Sequence, residues 1–401
     1  MNGAGNHYPR RGWKTSWEIK RMWKEGRRDN TMSHEQKKSV SGIHTVSFTL
    51  PQQRYARLKE IADEAYDRRI KVMHTKDQHN LDHSYEFSRE KDGGVRAEVH
   101  MYATHPGCAR LILTPGSILS GCYDPMRLYQ GTQKEWNDVQ KKYWKQAPLK
   151  SLPKSLDDYS LSRIDLTWDI YMESHEEVEA WIHVFKKSMR SPKYKRVEFQ
   201  EDSARARKDA NKHSCEYCTS TKQSKKKRHS RGKQPETAFK VYDKCYEVND
   251  KKILDQPVLR LELSLTRQSL VQRLKADKSI STEKLLSEAA KNAKVLIWKF
   301  VKSAMMTEGE YESYSMLALH IDLNENIIGK KYRKAAAKLV EKCSDCDNLY
   351  HALIKAEKKK SRRNPLLKQF AKISLNPVSL PNSFKVHALP SIRTLLEEAM
   401  E

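Results

Sequence analysis

Ser162-Arg163-Ile164-Asp165-Leu166-Thr167-Trp168-Asp169-Ile170 is the stretch from which the fold is read. Apolar and polar residues alternate along it, and a period of two marks a strand with one buried face. Ile164, Leu166, Trp168 and Ile170 form the apolar phase, so Arg163, Asp165, Thr167 and Asp169 share the opposite face. Two later segments repeat the pattern. In 239–244, Phe239 and Val241 are the apolar phase and Lys240, Tyr242 and Lys244 lie opposite. In 258–265, Leu259, Leu261, Leu263 and Leu265 alternate with Arg260, Glu262 and Ser264. Placed in one sheet, the three strands turn their apolar side to helices and gather carboxylates, cations and one tyrosine on the other.

Working outward, residues 151–275 read as a strand–helix–strand–strand unit. Ser174 with Glu177 forms a capping box, and Val178, Trp181, Ile182, Phe185 and Met189 line one helical face. Residues 41–150 read the same way. Val46, Phe48 and Leu50 alternate as a strand, and Pro51 opens a helix carrying Tyr55, Leu58, Ile61, Ala62 and Ala65. Strands follow over Val95 to Tyr102 and Ala109 to Leu113, with turns at Gly93-Gly94 and Pro106-Gly107. Arg110-Leu111-Ile112-Leu113 matches Arg260-Leu261-Glu262-Leu263, which suggests a duplicated unit with Ile112 where the second copy has Glu262. From 276 to 401 the pattern is helical, with Leu285, Leu286, Ala289, Ala293, Leu296, Ile297 and Phe300 as a core stripe. The expected fold is therefore α+β: antiparallel sheet, helices on one face, and a helical C-terminal region. Residues 1–40 read as a basic tail in which Trp13, Trp17 and Trp23 are interleaved with Lys and Arg, either mobile or suited to stacking on bases.

Over 401 residues, 76 Lys and Arg stand against 51 Asp and Glu, a net charge of +25. Such an excess points to a polyanion, most simply nucleic acid. No apolar run approaches the ~20 residues of a membrane span. The basic N-terminus has no apolar core of a secretory signal, and seven cysteines suit reduced thiols in a cytoplasm. Residues 203–235 hold eleven Lys or Arg, including Lys225, Lys226, Lys227 and Arg228, and read as a basic loop beside the Tyr242 strand or as a disordered connector. Cys215/Cys218 and Cys343/Cys346 are C-x-x-C pairs too far apart for a compact zinc knuckle, so free thiols are the favoured reading. No G-x-x-x-x-G-K-[ST] loop occurs, which argues against a nucleotide-driven motor.

The polar strand faces suit phosphodiester chemistry. Asp165, Glu262 and Asp169 can hold Mg²⁺ or Mn²⁺ through oxygen ligands. Tyr242 is the candidate nucleophile, and Lys244, in the same phase, could lower its phenol pKa or neutralise phosphate charge. Arg163, Lys240, Arg260 and the 225–228 cluster are the candidate DNA contacts. The alternative is an ordinary solvated sheet face whose Arg163–Asp165 and Arg260–Glu262 neighbours are weak surface salt bridges.

Ser162-Arg163-Ile164-Asp165-Leu166-Thr167-Trp168, Val241-Tyr242-Asp243-Lys244-Cys245-Tyr246-Glu247 and Leu259-Arg260-Leu261-Glu262 with Thr266-Arg267 resemble, in order and spacing, the gene II/gene X replication initiator family of filamentous phages. That family is similar in turn to plasmid rolling-circle initiators. Pro115-Gly116-Ser117-Ile118-Leu119-Ser120-Gly121 resembles the family's first-half segment. The resemblance implies a tyrosine nucleophile at Tyr242 with Lys244 beside it, acidic ligands at Asp165 and Glu262, and origin nicking and rejoining through a 5′-phosphotyrosine. Asp169 is not part of that pattern and rests on its strand phase alone. The resemblance also implies a host helicase and polymerase as partners in a bacterial cytoplasm. Tyr246 and, more weakly, Tyr217 are alternative nucleophiles. No His-x-His pair is present, unlike nickases that hold their metal with that motif. Two other functions fit the same residues: a metal-dependent nuclease or transposase that uses water, and a DNA-binding protein without catalysis.

Overall fold

The computed structural model describes residues 38–68, 72–74, 83–88, 94–101, 107–122, 124–197, 212–219, 236–248 and 256–401. Trp13, Trp17 and Trp23, the cluster Lys225, Lys226, Lys227 and Arg228, and turn residues Gly93 and Pro106 lie outside them. Lys38–Glu401 forms one compact unit. β1 (Ser39–Thr49) leads through a single turn into α1 (Tyr55–Asp67), and β2 (Val72–His74), β3 (His83–Ser88), β4 (Val95–Met101) and β5 (Cys108–Leu113) follow. α2 (Pro115–Ser120) and α3 (Gln133–Gln146) connect to β6 (Ser160–Tyr171). α4 (His175–Ser188), β7 (Tyr194–Val197), β8 (Ser214–Thr219), β9 (Thr237–Asp243), α5 (Lys244–Val248) and β10 (Val258–Thr266) complete the second half. The C-terminal region begins with α6 (Arg267–Leu274), α7 (Thr282–Lys291) and α8 (Ala293–Ala304), and further helices run to Glu398. Among the described residues no helix is long and apolar enough to cross a membrane.

Among the described residues ten strands form one antiparallel sheet in the order β2-β3-β4-β5-β1-β6-β10-β9-β8-β7. The order reads the same outward from either side of its centre. β1 and β6 are the inner strands, each followed by a helix and then by four strands that run inward from the edge. The duplicated unit is thus strand–helix–four strands, larger than the strand–helix–strand–strand reading, because β2, β3, β7 and β8 are short or lie in polar sequence. β8 itself falls inside the basic 203–235 stretch.

Register makes the equivalence residue-specific. Thr167 faces Glu262 and Asp169 faces Arg260, while Ser47 faces Ile112 and Thr49 faces Arg110. Tyr242 faces Arg260 as Glu98 faces Arg110. The first copy therefore carries Glu98, Ile112 and Thr49 where the second has Tyr242, Glu262 and Asp169. At the centre Asp165 pairs with Thr45, its own counterpart.

Packing explains why the alternation was legible. Leu166, Trp168, Leu261, Leu263, Phe239 and Val241 are all buried in the core. α8 covers β1 and β6, α4 covers β8 to β10, and α1 covers β4 and β5. Ser174 caps α4 by accepting from the Glu177 amide, but the Glu177 carboxylate reaches the Glu173 amide, so the box is shifted by one residue. Cys215 and Cys218 sit three apart on β8 and point to opposite faces, so they cannot chelate one ion together.

The Pro115-Gly116 start of α2 lies against the loop before α3. A Cβ on Gly116 would come within 1.8 Å of the Arg127 carbonyl oxygen. Gly116→Ala should displace that loop and lower stability by about 1–3 kcal/mol in chemical denaturation, the cost of overpacking.

Candidate active site

The face of β6, β10 and β9 turned away from α4 and α8 assembles the site. Tyr242 on β9 and Glu262 on β10 are each 8% exposed, and the Tyr242 hydroxyl donates to Glu262 Oε1 at 2.7 Å. Asp165 lies one diagonal step away: its partner on β10 is Ser264, two residues from Glu262. Its negative charge helps raise the Glu262 carboxyl above the ordinary carboxylate range, after burial itself as the larger cause. Burial, followed by the Glu262 charge, pushes the Tyr242 phenol well above its usual 10. At neutral pH the hydroxyl is held protonated against a carboxylate that can take its proton.

Lys244 occupies a different position from the strand phase expected for it. β9 ends at Asp243, whose Oδ1 accepts from the amides of Cys245 and Tyr246 and so caps α5, beginning at Lys244. The Lys244 ammonium is nevertheless buried near the site, 5.9 Å from the Tyr242 ring centroid and paired with Glu247. Burial, then the Arg260 charge, lowers its pKa. The net direction of the phenol pKa is upward, with burial as the largest cause. Arg260 acts on Tyr242 in the lowering direction, and burial outweighs it.

Asp169 and Arg260 bind each other. Arg260 donates from Nε at 2.5 Å and Nη2 at 2.7 Å to the two Asp169 oxygens, and from Nη2 to the Pro125 carbonyl at 2.9 Å. Both side chains are fully buried. This geometry removes Asp169 from the metal ligands and Arg260 from the direct DNA contacts expected above, since a carboxylate so engaged and a guanidinium so enclosed meet neither ion nor phosphate. The remaining candidates line the rim. Arg163 donates to Asp165 at 2.9 Å and to Ser264 Oγ at 2.6 Å. Lys240, 39% exposed, pairs with Glu216 at 3.4 Å. Of the alternative tyrosines, Tyr217 is buried on the helix side and donates to the Lys186 carbonyl, whereas Tyr246 is exposed and stacks on His213.

One residue of the site escaped the sequence reading. His44 lies at a bulge in β1, where Ile43 pairs with Leu166 but Thr45 with Asp165, so two residues oppose one. The bulge turns His44 to the polar face, with Nδ1 3.5 Å from Glu262 Oε1. In an unbroken strand it would share the apolar phase of Val46 and Phe48, so no sequence signal marked it. Burial, then Arg260 and Lys244, lowers its pKa to about 4 and keeps it neutral. Asp165 and Glu262 are diagonal neighbours on this face and His44 lies beside Glu262, but the ligand atoms of the three do not all fall within 4.8 Å of one another.

Neither a protein-family model nor a curated protein matches the sequence. Among solved structures the chain is similar to a rolling-circle replication initiator protein from Geobacillus stearothermophilus. The match has 9% identity and a TM-score of 0.29, over 67% of this chain and 87% of that one. At so low a score the chemistry of this site rests on its own geometry.

Removing either partner of the Arg260–Asp169 pair leaves a buried charge uncompensated. Arg260→Met or Asp169→Leu alone should cost about 3–5 kcal/mol in denaturant melts, and the double variant should recover most of that loss. His44 supplies a second test. Its native pKa of about 4 lies below the usual 6.5, so between these values the unfolded chain binds a proton that the folded one refuses. Stability should fall by roughly 3 kcal/mol as pH drops from 6.5 towards 4, and His44→Gln should remove that component of the pH dependence.

Proposed function

We propose that the protein is a rolling-circle replication initiator that nicks one strand of origin DNA and rejoins it through Tyr242. The observation that carries this reading is the 2.7 Å hydrogen bond from the Tyr242 hydroxyl to Glu262, on a sheet face shared with Asp165. Glu262 takes the phenol proton as the tyrosine oxygen forms its bond to the scissile phosphorus. The bond from phosphorus to the 3′ oxygen breaks, that oxygen gains a proton, and the 5′ phosphate stays on Tyr242. Attack by a 3′ hydroxyl reverses the step without ATP, because the phosphotyrosine retains the energy of the phosphodiester.

Asp165 and Glu262, with His44 beside them, would hold the divalent cation, which when bound polarises the scissile phosphate. Lys240 and Arg163 at the rim would meet the flanking DNA backbone, as positioning rather than sequence-reading contacts. The buried Arg260–Asp169 pair lies beside the tyrosine on the same face and acts on its field without touching DNA. The freed 3′ end would prime synthesis with the host helicase and polymerase that the motif resemblance implies.

A supercoiled plasmid carrying the cognate origin, incubated with protein and Mg²⁺ or Mn²⁺, should be nicked and yield a protein–DNA adduct stable on denaturing gels. Tyr242→Phe should abolish the adduct. Glu262→Gln should slow nicking by about 10²–10⁴-fold, the usual contribution of a general base. Nicking that persists in Tyr242→Phe without an adduct would instead identify hydrolysis by water. Plasmid left intact under every condition would identify a DNA-binding protein without catalysis.

A further inference from the structure

On the other side of the sheet from Tyr242, three potential metal ligands converge where α4, β9 and α5 meet, and a fourth, His213, stands beside Asp243. Asp243 ends β9, Cys245 lies in the first turn of α5, His175 is the first residue of α4, and His213 immediately precedes β8. Ligand atoms of His175, Asp243 and Cys245 all lie within 4.8 Å of one another. Among the described residues this is the group of three or more His, Cys, Asp or Glu with that spacing. His213 Nδ1 and His175 Nδ1 each stand 3.7 Å from Asp243 Oδ2.

The distances favour a metal over a hydrogen-bond network. At 3.7 Å an imidazole nitrogen and a carboxylate oxygen are too far apart for a good hydrogen bond. Ligand bonds of about 2.0–2.3 Å at a tetrahedral ion, however, place donor atoms roughly 3.3–3.8 Å apart. The carboxylate is already oriented. Its Oδ1 accepts from the Cys245 amide at 2.9 Å and the Tyr246 amide at 3.2 Å, leaving Oδ2 towards the two imidazoles. Such outer hydrogen bonds commonly hold a ligating carboxylate in place. The His213 ring is fixed by stacking on Tyr246, with centroids 3.9 Å apart and planes at 8°. Cys245 and Asp243 are buried, whereas the His175 side chain is 45% exposed and leaves a path for an ion to enter.

We propose that His175, Asp243 and Cys245 bind a zinc-class transition-metal ion that staples the end of the Tyr242 strand to α4, with His213 swinging in from beside Asp243 as the fourth ligand. One thiolate, two imidazoles and one carboxylate are a donor set for Zn²⁺ rather than Mg²⁺. On binding, the Cys245 thiol loses its proton to solvent and exchanges its contact with the Gln256 carbonyl, at 3.5 Å, for the metal bond. The site is separate from the carboxylates on the opposite face and its role is structural, so it does not depend on the nicking reaction.

The full-length protein, stripped with a chelator, should bind one equivalent of Co²⁺ and develop a near-ultraviolet sulfur-to-cobalt charge-transfer band together with the visible spectrum of a tetrahedral ion. Zn²⁺ should displace the cobalt and raise the melting temperature. Cys245→Ser should abolish the charge-transfer band, whereas Cys218→Ser should leave it intact. Should Cys245→Ser fold poorly, the surface variant His175→Gln should weaken Co²⁺ binding by about tenfold or more and cancel the Zn²⁺ shift in melting. A wild-type protein that gives no charge-transfer band, or a band that survives both Cys245→Ser and His175→Gln, would overturn the proposal.

Discussion

The central strands are covered by helices on one side, and that asymmetry governs everything chemical in the molecule. Ile164, Leu166, Trp168, Leu261 and Leu263 must enter the core beneath α4 and α8, and their alternate neighbours have no choice but the other face. Antiparallel register then brings side chains distant in sequence side by side: Glu262 between Thr167 and Lys240, Arg260 between Asp169 and Tyr242. The site follows from strand phase and pairing together, since neither alone places Tyr242 against Glu262.

Electrostatics on that face is balanced within a small volume. Arg260 is neutralised by Asp169, Lys244 by Glu247, and Asp165 is held by Arg163. Glu262 is the carboxylate whose charged form is disfavoured, by burial first and by Asp165 as well. Its hydrogen-bond donor is a phenol that burial keeps protonated. The two shifts oppose each other, since the raised phenol pKa makes the proton harder to remove. An acceptor with a raised pKa is a better base, and the proton it would accept is already shared at 2.7 Å.

The duplicated architecture places different side chains at equivalent positions of the same backbone. Tyr242, Glu262 and Asp169 correspond to Glu98, Ile112 and Thr49, while Arg260 keeps its counterpart Arg110. In the first copy Arg110 pairs with Glu98 at 3.0 Å, an ion pair standing where the second copy has its tyrosine. The two inner strands join the copies along their length, so the first half supplies β1, and through the bulge at His44, one wall of the site.

Strand phase, the one-sided polar face and the likeness of 110–113 to 260–263 were properties of the sequence, because periodicity follows from local geometry and survives any arrangement of the strands. Sequence therefore sufficed to put Tyr242, Asp165 and Glu262 on one surface. It could not assign partners within that surface. Asp169 and Arg260, read as ligand and DNA contact, chose each other because register set them face to face. Lys244 left the strand because the Asp243 side chain caps a helix there, and His44 joined the site because an extra residue in β1 reversed its side. The cluster of His175, His213, Asp243 and Cys245 draws on α4, β8 and the β9–α5 junction, which are separated by dozens of residues. Only the meeting of α4, β8 and the β9–α5 junction in tertiary space brings those donors together, since Asp243 and Cys245 alone are close in sequence.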